Sequence, residues 1–546
     1  MQITRISGRP LAVLAAASKH ASAAKVVHAM MRRDLRIGEL LQLPSELRGP
    51  VPIHTTPKGA RPPRSSPVED MPVPAAWAPG ADELTAQFRS GERSPLELTN
   101  AVLASATRLS LDRIDPMLAW TAERARSEAT AATTRYREGR PRGPLDGVPF
   151  VVKEQIHARG TRRSAGARVL DGEALSETDG TCVRRLHEAG AVLIGSTVMT
   201  EFGMTPVGAN PHRKMPRNPH DGTSLAGGSS TGSGVAVATG LVPLAIGADG
   251  GGSIRIPAAR VGIFGLKPTW GRISRDGDAS GGSVAHLGPM ARSTRDLASM
   301  LDTMAGPDDA DTETLAAPPL AAPFAAALAR GVRGLVVGVC ETELAEADPD
   351  VQLRVREGLR QLERHGAILR DVYLDLARWA PPIGYVTIAA ESLAALGPVY
   401  HAHQKLFSGD LRLSFAALQG FSALEYLDAA RLREGLRLEM QRCFGSIDLL
   451  ALPTTVRSSD RVTEDEFQHG FTDLGMVQGL CRYMFLGNLT GLPAISMPVG
   501  RGKGNMPVGM QLVADAWDEA SLLAASATLE RVQFARAERP ELFVKL

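Results

Sequence analysis

The chain is short of cysteine, of net charge and of long apolar runs, and each shortage removes a class of explanation. Four cysteines in 546 residues, Cys182, Cys340, Cys443 and Cys481, stand far apart with no paired spacing. They supply neither a disulfide framework nor a zinc site, and they read as reduced thiols in the core of a cytoplasmic protein. Lys+Arg and Asp+Glu number 61 and 59, a formal net charge of +2, so the electrostatic footprint of a nucleic-acid partner is missing. No uncharged apolar stretch reaches the roughly 18 residues of a bilayer-spanning helix, which argues against a membrane partner. A phosphate-binding GxxxxGK[ST] loop is also absent.

What the chain does have is organisation. Residues 1–33 are basic and contain no acidic residue, and Leu11–Ala17 is a short apolar run before Ala21-Ser22-Ala23. That pattern has some features of a targeting segment, but Lys19 and His20 interrupt it, and a helical extension is the plainer reading. Residues 11–48 carry apolar side chains at helical spacing. Residues 49–80 hold nine prolines and read as a linker or irregular strap. The boundary expected from this is an extension over 1–75 and a main domain over 76–546.

From residue 147 the pattern alternates. Short apolar runs at Val148–Val152, Ala191–Ile194, Leu241–Ile246, Leu335–Val339, Ile368–Val372, Leu449–Leu452 and Ala494–Val499 read as strands. Helical stretches at 179–189, 293–304, 350–365, 422–443 and 517–533 are interleaved with them. Strands alternating with helices predict an α/β fold with a mostly parallel sheet covered on both faces. No internal repeat is present, and the Ala- and Pro-rich stretch at 306–330 reads as a surface connection.

The most informative segment is Gly227–Lys267, GGSSTGSGVAVATGLVPLAIGADGGGSIRIPAARVGIFGLK. Two serines compete in it. Gly228-Ser229-Ser230-Thr231-Gly232 fits the G-x-S-x-G elbow that would make Ser230 the nucleophile of an α/β-hydrolase-type esterase. That elbow needs a strand directly before it, and NPHDGTSLA at 218–226 does not read as one. The alternative is Asp249-Gly250-Gly251-Gly252-Ser253-Ile254-Arg255, which follows an apolar strand and enters a helix. Consecutive glycines let several N–H groups converge beside the Ser253 hydroxyl, the arrangement an oxyanion requires. Asp249 and Arg255 bracket the serine and are placed to pair across the loop. A plain tight turn accounts for the same glycines equally well.

Longer motifs bear on that choice. Gly227–Lys267, Gly143–Lys153 (GPLDGVPFVVK), GPMARSTRDLASMLD at 288–302, DLLALPTT at 448–455 and GNLTGLPAISMPVG at 487–500 closely resemble the amidase signature family. The likeness runs from about 81 to 535. It implies a single α/β/α domain around a large mixed sheet, and hydrolysis of amide bonds through a Ser–cis-Ser–Lys triad. By motif position Ser253 resembles the nucleophile, Ser229 the bridging serine on a cis peptide, and Lys153 the base. Gly250, Gly251, Gly252 and Ser253 would supply the oxyanion hole.

The resemblance sets a physical condition. A serine hydroxyl needs a base, and none of the twelve histidines falls in the Gly/Ser core. A lysine serves only when neutral, which at pH 7 requires its pKa to fall by roughly 3 units, about 4 kcal/mol. Burial behind Val148, Phe150, Val151 and Val152 would supply that. The sequence departs from the family at Glu154 and Gln155, where Asp and Asn are usual, at Arg162 and Arg163, and at Gly250.

The substrate expected is a small aryl or hydrophobic amide, with carbamates (urethanase chemistry) and esters as further candidates. Apolar side chains in 380–430 and Met476–Phe485, with Met204 and Thr205, are candidates for its pocket. A glutaminase subunit of a tRNA-dependent amidotransferase shares the signature and is the main competing reading. The extension and the RYMFLGNLTG stretch around 487 speak against it. No cofactor or metal is expected, since His401 and His403 have no carboxylate partner in the pattern. A homodimer through the extension is a further expectation.

Overall fold

A computed structural model describes residues 5–49, 57, 59, 76–279 and 281–546. Most of the proline-rich strap therefore lies outside the described residues. Thirteen strands are present among them: β1 Ile6–Ser7, β2 Met117–Trp120, β3 Pro149–Lys153, β4 Val192–Thr197, β5 Leu244–Asp249, β6 Phe264–Lys267, β7 His286–Ala291, β8 Val336–Val339, β9 Ile368–Asp371, β10 Leu449–Pro453, β11 Phe471–Thr472, β12 Ala494–Arg501 and β13 Pro507–Ala514.

All but β1 and β11 form one 11-stranded sheet in the order β2-β4-β3-β5-β7-β6-β12-β13-β10-β8-β9. The expectation of a mostly parallel sheet is corrected here. Only β4-β3-β5 and β10-β8-β9 run parallel, and every other pairing in the sheet is antiparallel. The sheet is the large mixed one that the family likeness implies. The unexpected antiparallel strands are β2, which is only four residues long, and β6, β7 and β13, whose Gly and Pro residues mask a strand pattern. Gly288 of β7, for example, has no room for a side chain: a Cβ there would collide with the carbonyl oxygen of Leu266.

The interior strands β3, β4, β5, β6, β7, β10 and β13 are buried along their whole length. Helices cover them because a sheet apolar on both faces must be shielded from water on both. Helix Pro349–Arg364 shows how: Val351, Val355, Leu359 and Leu362 face inward at helical spacing. The stretch at 306–330 is only partly a surface connection, because Phe324, Ala327 and Leu328 join the main core. The helical stretch Ala377–Leu406, built around helix Ala380–His403, has the length and apolar composition of a membrane span. It packs against helix Ala423–Phe444, and its Ile383, Val386 and Ala389 lie in the core.

The extension folds as helices α1 Gly8–Ala17, α2 Ala21–Asp34 and α3 Ile37–Leu41. β1 pairs antiparallel with β11, Ile6 opposite Thr472 and Ser7 opposite Phe471. Leu35, Ile37 and Leu40 enter the second core cluster of the body.

Candidate active site

Strands β3 and β5 are parallel neighbours, Val152 opposite Ile246, so their carboxyl ends open on the same edge of the sheet, where α/β proteins place ligands. Lys153 is the last residue of β3 and Asp249 the last of β5. The Val148–Val152 run packs Lys153 into the sheet, and the side chain is buried. Its Nζ lies 2.7 Å from Ser229 Oγ and 3.4 Å from the carbonyl oxygen of Ala248. Burial lowers the amine from 10.5 to about 7, against the opposing pull of Asp278, Asp249 and Glu154. The neutral form needed of a general base is thus accessible at neutral pH.

Ser229 precedes helix Thr231–Ala238, and the Gly228–Ser229 peptide bond is cis. Lys153, Ser229, Gly250, Gly251 and Ser253 all line one cavity of about 510 Å³. Ser230 does not. Its hydroxyl donates to the Ala248 carbonyl and accepts from the Ala248 N–H, both at 3.2 Å, so both sides of its hydrogen-bonding capacity go to β5. No strand leads directly into it, since β4 ends at Thr197. The elbow reading of Ser230 thus has neither the strand before it nor a place in the cavity to support it.

The glycine loop turns between β5 and helix Arg255–Val261. Asp249 and Arg255 pair across it at 2.9 Å, wholly buried. A second contact, Arg255 Nε to Asp249 Oδ2, measures 3.0 Å. Burial works to raise the Asp249 carboxyl, and Arg255, Asn488 and Lys267 overcome it, holding the group well below the usual carboxylate range. The carboxylate also accepts the N–H groups of Gly252 at 2.7 Å and Ile254 at 3.2 Å. The Gly252 N–H, expected among the oxyanion donors, thus already has an acceptor in Asp249. Among the described residues the N–H groups of Gly250, Gly251 and Ser253 find no such acceptor. Gly252 is required for another reason. Its φ is +110°, and a Cβ there would run into Met484 Cγ.

Local sequence pattern does not reveal the partners that hold this loop. Asn488 Nδ2 donates to the Asp249 carboxylate and backbone carbonyl, both at 2.9 Å. Arg255 reaches Gln511 Oε1 and Asn488 Oδ1, each at 2.6 Å. Asn488 sits inside the GNLTG motif and Gln511 in MPVGMQLV at 506–513, shortly after it, so the residues are visible in the sequence without a role attached to them. Glu154 turns away from Lys153 to accept the Met199 N–H at 3.0 Å and the Ser164 hydroxyl. Gln155 Nε2 donates to Asp278 at 2.5 Å on the cavity wall.

The rest of the cavity is largely apolar. Phe202, Met204, Pro206, Ile388, Leu396 and Phe485 contribute, with Tyr385 stacked edge-on to Phe485 at 5.2 Å. Of the aromatic residues in 380–430 and Met476–Phe485, Tyr385 and Phe485 reach the wall, whereas Phe407 and Phe415 pack with Tyr400 behind the wall residues Phe202, Met204 and Leu396. Among the described residues no group of His, Cys, Asp or Glu is arranged to hold a metal, and His401 and His403 lie in the last turn of helix Ala380–His403.

Likeness to known proteins bears on this arrangement. The amidase family profile matches residues 97–523. A glutamyl-tRNA(Gln) amidotransferase subunit from Chloroflexus aurantiacus is 35% identical, covering 84% of this chain and 97% of its own. A fatty acid amide hydrolase of Oryza sativa subsp. indica is 32% identical over 84% of this chain and 76% of its own. The crystal structure of a bacterial aryl acylamidase superposes with a TM-score of 0.74 at 26% identity, over 84% of this chain and 96% of that one. With a profile match across most of its length and relatives above 30% identity, the chain belongs to the amidase signature family of amide-cleaving hydrolases.

Proposed function

We propose that this protein hydrolyses aryl or otherwise hydrophobic carboxylic amides through an acyl-enzyme on Ser253, with residues 76–546 as the catalytic unit. The observation that carries the reading is the Lys153 amine, held near neutrality by burial and touching Ser229 beside the cavity that also holds Ser253. Neutral Lys153 accepts the Ser229 proton while Ser229 accepts that of Ser253. Ser253 Oγ attacks the carbonyl carbon. The oxyanion is received by the N–H groups of Gly250, Gly251 and Ser253. Collapse breaks the C–N bond as the proton returns through Ser229 to the leaving amine. Water then attacks the acyl-enzyme and releases the acid, and Lys153 ends neutral.

The apolar wall supports a hydrophobic substrate, because such a surface gains free energy mainly by covering apolar groups. Carbamates and esters present the same carbonyl to Ser253 and are secondary candidates. The competing reading, a glutaminase component of an amidotransferase, is favoured by the likeness to the Chloroflexus protein. A panel of anilides, aliphatic amides, a carbamate, an ester and free glutamine decides between them. Anilides or long aliphatic amides as best substrates support the proposal, and glutamine as best substrate overturns it.

A further inference from the structure

The cavity wall includes three residues that precede the family match at 97–523. They are Val27, Met31 and Leu35, spaced by four and therefore on one side of α2 and its C-cap. No charged side chain of α2 is in the wall; Lys25, Arg32 and Arg33 all lie outside it.

The helix is held firmly in this position. Arg5 pairs with Glu466 at 2.6 Å and lies over the Phe471 ring, beside the β1–β11 pairing. His28 Nδ1 lies 2.6 Å from the Ala417 carbonyl oxygen, and its ring meets Phe421 edge-on. Arg32 pairs with Glu425, and Gln478 Nε2 donates to the Asp34 carbonyl at 2.7 Å. The body residues beneath it, Leu413, Leu418, Leu474 and Val477, line the same cavity.

We propose that α2 is a substrate-selecting element: Val27, Met31 and Leu35 form part of the wall against which the hydrophobic arm of the amide packs, and they set the length of arm the site accepts. The inference rests on the hydrophobic-amide reading above. The arm belongs either to the acyl group or to the amine, and both are apolar chains of the same chemistry.

The test uses the full-length protein with acyl 4-nitroanilides from acetyl to decanoyl, and with acetamides of alkylamines of the same lengths. The readout is the ratio of kcat/KM for long over short arms. Met31→Trp fills the wall and lowers that ratio about tenfold or more, whereas Met31→Ala opens it and moves the preferred length upward. Opposite shifts are not produced by general damage to the fold, and the smaller substitution keeps the test decisive if the larger one does not fold. The series that shifts identifies the arm. A wild-type protein that discriminates by chain length, with a ratio unchanged in both variants, overturns the role of α2 and leaves the hydrophobic-amide reading standing. A wild-type protein that turns over glutamine alone overturns both.

Discussion

Lys153 and Ser229 stand 2.7 Å apart although the chain separates them by 76 residues. The amine is dry because β3 ends inside the sheet, and that dryness lowers its pKa to about 7, as the proposed base requires. Replacing either residue removes the proton path while leaving the glycine loop in place. Lys153→Ala and Ser229→Ala should each lower kcat by about 10²–10⁴-fold, and Ser253→Ala by more, because it removes the proposed nucleophile. Ser230→Ala should stay within about tenfold of wild type, since its hydroxyl bonds only the Ala248 backbone. Steady-state kinetics on one anilide check all four, and loss of activity in Ser230→Ala alone would reinstate the elbow serine.

The pH profile should show an acid limb. Below about 7 the Lys153 amine is protonated and unable to accept from Ser229. The expected kcat/KM therefore falls about tenfold per pH unit below that value. A profile flat from pH 5 to 9 would exclude Lys153 as the base.

The same burial weakens the fold. The amine titrates near 10.5 in the unfolded chain and near 7 when folded. Between those values the unfolded chain holds a proton that the folded protein lacks. Stability from this group therefore falls as pH drops from 10.5 to 7 and levels off below 7. The full cost is of order 5 kcal/mol. Lys153→Met, similar in shape and uncharged, should be inactive yet more stable at pH 7 by about 1–3 kcal/mol, after the lost Ser229 contact is subtracted. Urea unfolding of the two proteins measures it, and a variant less stable than wild type would contradict it.

Arg255→Met should be severe in the opposite sense. It leaves the Asp249 carboxylate buried without its cation, a change that typically costs about 3–5 kcal/mol. Guanidinium unfolding reads the loss, and a change below about 1 kcal/mol would show that Asn488 and Lys267 hold the charge unaided.

Gly252→Ala should lower both stability and kcat. The new Cβ meets Met484 and Ile256 at φ +110°, a conformation that costs an ordinary residue about 1–3 kcal/mol before any clash is counted. Thermal unfolding together with anilide turnover checks it.

Much of this architecture is legible in residues. β3, β4, β8, β10 and the long amphipathic helices announce themselves because whole faces of them are apolar at the right period. β5 is displaced from its expected span, Leu241–Ile246, to Leu244–Asp249, because the apolar run begins in a turn and the buried strand continues through Gly247 and Asp249. β6, β7 and β13 are hidden for a related reason. Their glycines sit where neighbouring elements press so close that no side chain fits, as at Gly509, where a Cβ would lie 2.5 Å from that of Ala259. In the site, Lys153, Ser229, Ser253 and the Asp249–Arg255 pair can be proposed from motif and position. Asn488, Gln511 and the α2 wall cannot, because their parts depend on tertiary neighbours that no local pattern encodes.

The parallel pairing of β3 with β5 also bears on when activity can arise as the chain folds. Lys153 and Ser253 are a hundred residues apart, and only closure of the intervening crossover brings their strand ends to one edge. Such non-local contacts are slow to form because chain entropy is lost before they repay it. Catalytic competence should therefore be among the last properties regained on refolding, lagging helix content measured by circular dichroism. A fragment ending before β5 lacks Ser253 altogether and retains only Lys153 and Ser229.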